Sequence, residues 1–141
     1  MDITLAVANQ LGGGFPGAII YRENQEQGFV EPSFYIYEIM AGGKDELMGQ
    51  EMRQHLYCVM WFPDSKVADP GIKEQCEMQR GVLLNEFNFL DDLSLKLLDR
   101  EIKIEQGAVN LTFKVRYKVR KETRLPTLER LTQQGGVKNV Q

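Results

Sequence analysis

The sequence predicts a single α+β domain that is mostly β. An antiparallel sheet is expected to carry an N-terminal helix and one amphipathic helix packed on it. Three features predict it: a long alternating hairpin in the last third of the chain, shorter β-branched and aromatic runs before it, and two stretches with apolar residues at helical spacing. The expected order is α-β-β-β-α-β-β, followed by a C-terminal extension. We expect residues 1–121 to form the domain and residues 122–141 to form an arm or a flexible tail.

The hairpin runs from about Leu97 to Lys121. On its return strand, residues 109–120 alternate without a break between apolar and polar side chains, so one face is apolar and the other is polar and mostly basic. A tight turn at Gln106-Gly107 would set the register, and a slip of one residue would reverse every face. The expected partners are Ile104 with Val109, Ile102 with Leu111, Lys103 with Asn110, and Asp99 with Lys114.

The first helix is predicted after Asp2, a residue suited to the N-cap. Ile3, Val7 and Leu11 then recur at helical spacing, and the glycines at 12–14 are expected to end the helix. A run of three glycines can also cradle a phosphate, but no strand precedes this one and no Lys-Ser/Thr follows it. We therefore interpret it as a helix stop.

Three strands are predicted next, at Ala18–Arg22, Phe34–Met40 and Glu51–Phe62. The second has apolar residues on both faces, which is typical of a strand in the interior of a sheet. Between the second and third strands, Ala41–Gln50 is polar and rich in glycine, so it is predicted to be a mobile loop. Such a loop either contacts a partner or is simply solvated.

The second helix is predicted to begin at Asp69-Pro70, with Asp69 as the N-cap and Pro70 in the first helical position. It would pack one stripe on the sheet and leave the chain as a turn over residues 85–92. The stripe comprises Ile72, Cys76, Leu83 and Phe87.

Side chains that could perform chemistry are few. His55 is the single histidine, and neither a second histidine nor a cysteine pair with metal spacing accompanies it. Cys58 and Cys76 both lie in apolar patterns, so buried free thiols are favoured over a disulfide, which fits a reducing cytoplasm. The sequence predicts no metal site, no cofactor and no enzyme. We also expect neither a signal peptide nor a membrane span, because no apolar run approaches ~20 residues.

The formal net charge of −3 hides an asymmetry. Residues 114–141 carry eight Lys or Arg and two Glu, a net of +6, so the rest of the chain carries −9. A chain of this kind can associate head-to-tail with its own copies or offer its basic region to an acidic partner. The alternative is that acids of the same subunit neutralise the basic strand.

Three short runs carry a resemblance to a known family: Ile20-Tyr21-Arg22-Glu23, Gln27-Gly28-Phe29 and Pro32-Ser33-Phe34-Tyr35-Ile36. A polar loop, a strand ending in Phe62-Pro63-Asp64, an amphipathic helix and a closing hairpin follow in the same order. From about Ile3 to Lys121 the chain resembles the tail terminators of long-tailed phages and phage-tail-like particles.

This resemblance implies a structural subunit, assembled in the host cytoplasm, that forms a ring, typically of six copies, at the tail–neck end of a particle. Such a ring caps the tail tube, ends the polymerisation of the tube (and of the sheath in contractile tails), and meets the head connector. The implied partners are other copies of the chain, the tube protein, the sheath and the neck, with DNA only as passing cargo and with no membrane.

Candidate contact residues lie in the polar loop, on the basic strand face and in the C-terminal extension. They are Gly43, Lys44, Asp45, Glu46, Lys114, Arg116, Lys118, Arg120, Arg124, Leu125, Leu128 and Leu131. Two alternatives remain open at this point. One is another neck, adaptor or tail-completion protein, and the other is a nucleic-acid-binding module that uses the basic strand face, although that face lacks interleaved aromatic residues.

Overall fold

A computed structural model describes residues 1–22 and 30–120. In this part of the chain, two helices and seven strands follow one another in an α+β order, which confirms the predicted fold class. The elements are α1 (Ile3–Gly14), β1 (Ile20–Tyr21), β2 (Ser33–Asp45), β3 (Gln50–Phe62), α2 (Ile72–Glu86), β4 (Phe89–Leu90), β5 (Leu95–Lys96), β6 (Leu98–Glu105) and β7 (Ala108–Arg120).

Five of these strands form one sheet in the order β1-β2-β3-β7-β6, and β4 pairs with β5 in a separate two-stranded ribbon. The short β1 runs parallel to β2, with Ile20 opposite Phe34 and Tyr21 opposite Tyr35. The hairpin of β6 and β7 is antiparallel. The sheet therefore has β1 and the rest of β2 at one edge and β6 at the other.

The core lies on one side of this sheet, which we call the core face. Phe113 is fully buried there, stacked on Tyr57 at 6.0 Å between ring centroids and met edge-on by Phe87 at 5.6 Å. The helix α1 reaches the same face, since the hydroxyl groups of Thr4 and Tyr57 lie 2.9 Å apart. The predicted apolar face of the hairpin is thus confirmed as the centre of the core.

Helix α1 begins as predicted. A carboxylate oxygen of Asp2 accepts a hydrogen bond of 2.9 Å from the backbone N–H of Leu5, and Ile3, Val7 and Leu11 are buried. The helix includes the three glycines and ends at Gly14, the last of them, so the prediction that this run ends the helix is confirmed. The backbone N–H of Phe15, bonded to the carbonyl of Leu11, closes the last turn.

The hairpin register is confirmed near its turn and is wrong further out. Ile102, Lys103 and Ile104 pair with Leu111, Asn110 and Val109 as predicted. Between Leu98 and Glu101 the register shifts, so Leu98 rather than Asp99 lies opposite Lys114. Asp99 has a φ of 50°, typical of the extra residue in a bulge, and its carboxylate still lies 3.6 Å from the ammonium group of Lys114.

The largest correction concerns residues 41–50, which were expected to form a mobile loop. The strand β2 extends to Asp45, a single 3₁₀ turn occupies Leu47–Gly49, and β3 begins at Gln50. The glycines at 42 and 43 therefore lie within a strand. Conversely, the predicted first strand, Ala18–Arg22, shrinks to the two residues of β1.

Helix α2 begins two residues later than predicted, with Gly71 as its N-cap. The amide of Gln75 fastens the preceding loop instead of an Asp69 cap, because it donates to the carbonyls of Asp64 and Pro70 and accepts from the N–H of Asp64. Of the predicted stripe, Cys76, Leu83 and Phe87 are buried, whereas Ile72 is largely exposed. The exit over residues 85–92 contains β4, which was not predicted.

The chain divides into two compact units. The first comprises Met1–Gly42 and Gln54–Arg116 and contains both helices and the core described above. Within the described residues, the second comprises Gly43–Arg53 and residues 117–120. Both cysteines are buried free thiols, as expected. Neither described helix is long and apolar enough to cross a membrane.

Candidate assembly surfaces

The second unit carries an apolar tip, formed by Leu47 and Met48. Their side chains are 86% and 84% exposed, more than any other large hydrophobic residue described. Met48 has a φ of 65°, and Gly49 follows with a φ of 73°. A residue with a side chain is disfavoured in the left-handed region, so the backbone of this turn is strained at Met48. The same turn leaves two apolar side chains exposed to water.

Polar side chains line the strands that lead to this tip. Nε of Arg53 donates to a carboxylate oxygen of Glu51 at 2.8 Å, and this contact raises the pKa of Arg53. A Cβ on Gly43 would lie 2.5 Å from the other carboxylate oxygen of Glu51, so a larger residue there would displace the flexible Glu51 side chain. The predicted contact residues Lys44 and Asp45 end β2 and are exposed.

The basic strand face is partly neutralised by its own subunit. In the first unit, Lys114 pairs with Asp99, and the guanidinium of Arg116 donates twice to the side-chain oxygen of Gln54, at 2.7 and 3.0 Å. In the second unit, Nζ of Lys118 lies 3.5 Å from a carboxylate oxygen of Glu46. Arg120 is exposed. The contacts of Lys114 and Lys118 favour the alternative in which acids of the same subunit neutralise the basic strand face, whereas Arg116 is bonded to a neutral amide.

The sheet side opposite the core face, which we call the open face, is apolar on two strands and polar on the other two. Tyr37 and Ile39 of β2 are exposed there, with the ring of Tyr35 5.5 Å from that of Tyr37. A cleft of about 350 Å³ crosses this face. Its lining residues come only from strands, namely Tyr37, Ile39, Cys58, Glu101, Lys103, Glu105, Asn110 and Thr112.

Cys58 lies beneath Tyr37 in this cleft. A hydrogen bond with the Cys58 thiol, together with burial, raises the pKa of Tyr37 to about 12, and burial raises the pKa of Cys58 itself. Both groups therefore keep their protons at neutral pH. A protonated, buried thiol is a poor nucleophile, which fits a packing role better than a catalytic one.

A second cleft, of about 340 Å³, lies between the end of α1 and the turn after β4. The amide of Asn9 donates to Asp92 at 2.8 Å, and the side-chain oxygen of Gln10 accepts from the backbone N–H of Asp91 at 2.8 Å. These bonds tie the turn to α1. Among the described residues, no three His, Cys, Asp or Glu side chains converge as a metal site would require.

His55 joins the polar network on the core side of β3. Its Nδ1 lies 2.7 Å from a carboxylate oxygen of Glu38, and its ring packs 6.3 Å from that of Tyr57. The single histidine, on β3, is thus bonded to a carboxylate on the neighbouring strand β2. This arrangement orders β2 against β3.

A family model described as a phage tail terminator protein matches residues 2–126. The chain belongs to the phage tail terminator family. No curated protein matches it. Family membership makes this terminator a structural component of a phage tail that interacts with other tail components.

The predicted contact residues of this terminator are spread over both units. Gly43–Glu46 lie beside the apolar tip, and the basic row lies on β7. The four C-terminal candidates, and the predicted boundary at residue 121, lie outside the described residues: Arg124, Leu125, Leu128 and Leu131. Sequence reasoning missed Leu47 and Met48, although two large apolar residues inside a polar stretch were a signal that could have indicated them.

Proposed function

We propose that the chain forms a ring, with six copies as the expected number, that caps the tail tube, ends its polymerisation and offers its other surface to the head or neck. The family match over residues 2–126 carries this proposal. The exposed tip of Leu47 and Met48 supports it, because an apolar group held in water on an ordered turn is typical of a protein-contact site.

The division of surfaces also supports a terminator. One side of the sheet is covered by helices and closed around Phe113, while the open face presents tyrosines, an isoleucine and charged side chains. A subunit of this kind works by geometry. One of its surfaces contacts the tube. The opposite surface does not bind a further ring of tube protein, so the tube stops growing.

The decisive experiment is removal of the gene from a producing phage. We expect tails of uncontrolled length by electron microscopy, and we expect plasmid-borne wild-type protein to restore one length. A variant that cannot fold, Phe113→Asp, is the matched negative control, because it places a charge in the core. Normal tails in the deletion strain would exclude the terminator role.

We also propose that residues 122–141 act as an arm on a neighbouring subunit, the tube or, in a contractile tail, the sheath. Their leucines at 125, 128 and 131 and their basic residues would make the contact. A chain truncated after Lys121 should keep its melting temperature but attach less tightly to tails. An unfolded truncated chain would refute the arm, and unchanged attachment would do so as well.

A further inference from the structure

Strand β2 forms one edge of the sheet, and a role for this edge in assembly rests on the proposed ring. The strand β1 pairs only with Phe34 and Tyr35, so in the described chain no strand lies against the outer side of β2 from Ile36 to Gly42. Every residue from Tyr37 to Gly42 is exposed. A long edge of this kind is a template for pairing with another strand.

The direction of the free backbone groups follows from one hydrogen bond. The N–H of Phe34 donates to the carbonyl of Ile19, at 2.8 Å, and therefore points toward β1. Alternate residues of a strand direct their N–H and C=O groups to the same side. The backbone N–H and C=O groups of alternate residues therefore point to the outer side of β2, where a second strand could bond them. These residues are Ile36, Glu38, Met40 and Gly42.

The side chains of this edge are compatible with pairing to another strand. Met40 is 62% exposed and Ile39 is 44% exposed, one on each side of the strand. Natural edge strands are usually protected by lysines, prolines or bulges. Between Ile36 and Gly42 there is no lysine and no proline, and the one charged residue, Glu38, contacts His55.

The opposite edge of the same sheet is β6, which among the described strands pairs with β7 alone. Ile102 and Ile104, which face the core side of β6, are only half-buried. Within the described residues, one chain therefore carries two different edges without a strand partner. Joining unlike surfaces of identical subunits is heterologous association, which produces a closed ring when the rotation closes.

We infer that the free edge of β2 pairs with β6 of a second copy, so that the sheets of neighbouring subunits join. A contact between two strands of seven or eight residues is smaller than the roughly 1,600 Å² of a standard stable interface. One such contact alone is weak. A ring in which every copy uses both of its edges forms twice as many contacts per subunit, which favours the closed assembly over an isolated pair.

The first test changes one outward N–H. Met40→Pro removes a donor from the open edge and leaves alternate residues free to bond β3, whereas Met40→Ala removes the same side chain but keeps the donor. We expect Met40→Pro to raise the concentration for half-assembly at least about ten-fold relative to Met40→Ala. Light scattering measures assembly, and circular dichroism verifies the fold.

Gly42 provides an independent pair of variants. A Cβ at Gly42 meets nothing within 4 Å, and its φ is not positive, so Gly42→Ala is accommodated. Gly42→Pro should weaken assembly as Met40→Pro does, while Gly42→Ala should not. Equal assembly of all four folded variants and the wild type would overturn the inference.

The second test identifies the strand that arrives. Ile39 and Lys103 line the open face from its two edges, so we would mix the Ile39→Cys variant with Lys103→Cys, Glu101→Cys or Glu105→Cys and oxidise. Both native thiols are buried, but Cys58 lines the same cleft as Ile39, so the Ile39→Cys chain oxidised alone is the control for a bond to Cys58. We expect a disulfide-linked pair in one of these mixtures and none with Met78→Cys, a 66% exposed position on α2.

Each outcome decides the inference. Cross-linking of Ile39→Cys with itself alone would indicate that two β2 edges meet symmetrically, and would overturn it. Assembly without any of these cross-links would overturn it while leaving the ring intact. A wild-type chain that stays monomeric would overturn it too, but the terminator role would still be judged by tail length in the deletion strain.

Discussion

Two hairpins of the described chain, β2–β3 and β6–β7, make the same kind of turn in opposite surroundings. In the β6–β7 hairpin, Gln106 and Gly107 have φ values of 53° and 72°. A Cβ on Gly107 would lie 3.5 Å from a methyl carbon of Ile72, so α2 packs beside this turn. In the β2–β3 hairpin, Met48 and Gly49 have φ values of 65° and 73°, but the side chains around them stand in water.

The comparison shows that the same backbone geometry occurs both in a turn packed against the fold and in a turn exposed to solvent. Left-handed residues let a chain reverse direction in either setting. Where the turn meets a helix, it closes the fold around Ala108 and Val109, which are buried. Where the turn carries Leu47 and Met48, both side chains are almost fully exposed, which is the arrangement that the proposed contact surface requires.

The largest effect should come from the hairpin that closes the core. Phe113→Ala should lower the free energy of unfolding by about 3–5 kcal/mol, because a fully buried ring is removed and a cavity is left. Urea unfolding measures it. Trp61→Ala is the comparison, and it should cost less because Trp61 is half-buried. An equal cost at both positions would mean that burial does not separate these sites.

The packed turn itself comes next. Gly107→Ala should cost about 1–2 kcal/mol, since any other L-residue is disfavoured at its positive φ. Gly42→Ala is the matched control, with ordinary φ and open space around the added methyl group. Thermal unfolding of the two variants tests this difference. Identical melting temperatures would contradict the strain argument.

The exposed turn should respond in the opposite sense. Leu47→Ser with Met48→Gly should change the free energy of unfolding by no more than about 1 kcal/mol, and toward stability where the strain at Met48 is relieved. The same double variant should bind tails or its own copies less tightly, which sedimentation with tails would measure. Met78→Ser, an exposed change on α2, should leave both properties unchanged. Normal binding by the double variant would remove the tip from the contact surface.

The smallest effect is an alkaline one. The folded state raises the pKa of Tyr37 and of Cys58, so the folded chain holds these protons more tightly than the unfolded chain does. The stability they contribute is complete below about pH 9 and is lost as the pH rises through their folded pKa values. Unfolding titrations should therefore show a decline above pH 9 that is shallower in Tyr37→Phe. A rise in stability over this range would reverse the assigned direction.

Patterns that repeat along one strand were predictable from the sequence. The alternation after Ala108 predicted both the core face and the register next to the turn, because a shift of one residue would have buried charges such as Lys114. The N-cap at Asp2 was equally local. Such features depend on nearest neighbours, which the sequence displays directly.

Features that depend on distant partners were not predictable. Gly42 and Gly43 suggested a loop, but the strand continues through them to the turn at Leu47–Gly49. The bulge near Asp99 depends on how β6 meets β7, and the start of α2 depends on Gln75 reaching back to Asp64. The candidate contact surface gained Leu47 and Met48 only from the structure, because their exposure is a property of the folded hairpin.

Arg100 gives the edge strand β6 a second attachment. One nitrogen of its guanidinium donates to the carbonyls of Phe87 and Leu84 at 2.9 and 3.0 Å, and to that of Leu83 at 3.4 Å. The negative end of the α2 dipole is thus compensated by a cation from outside the helix. Any displacement of β6 is therefore opposed by α2 as well as by β7, because Arg100 couples the edge strand to the end of the helix.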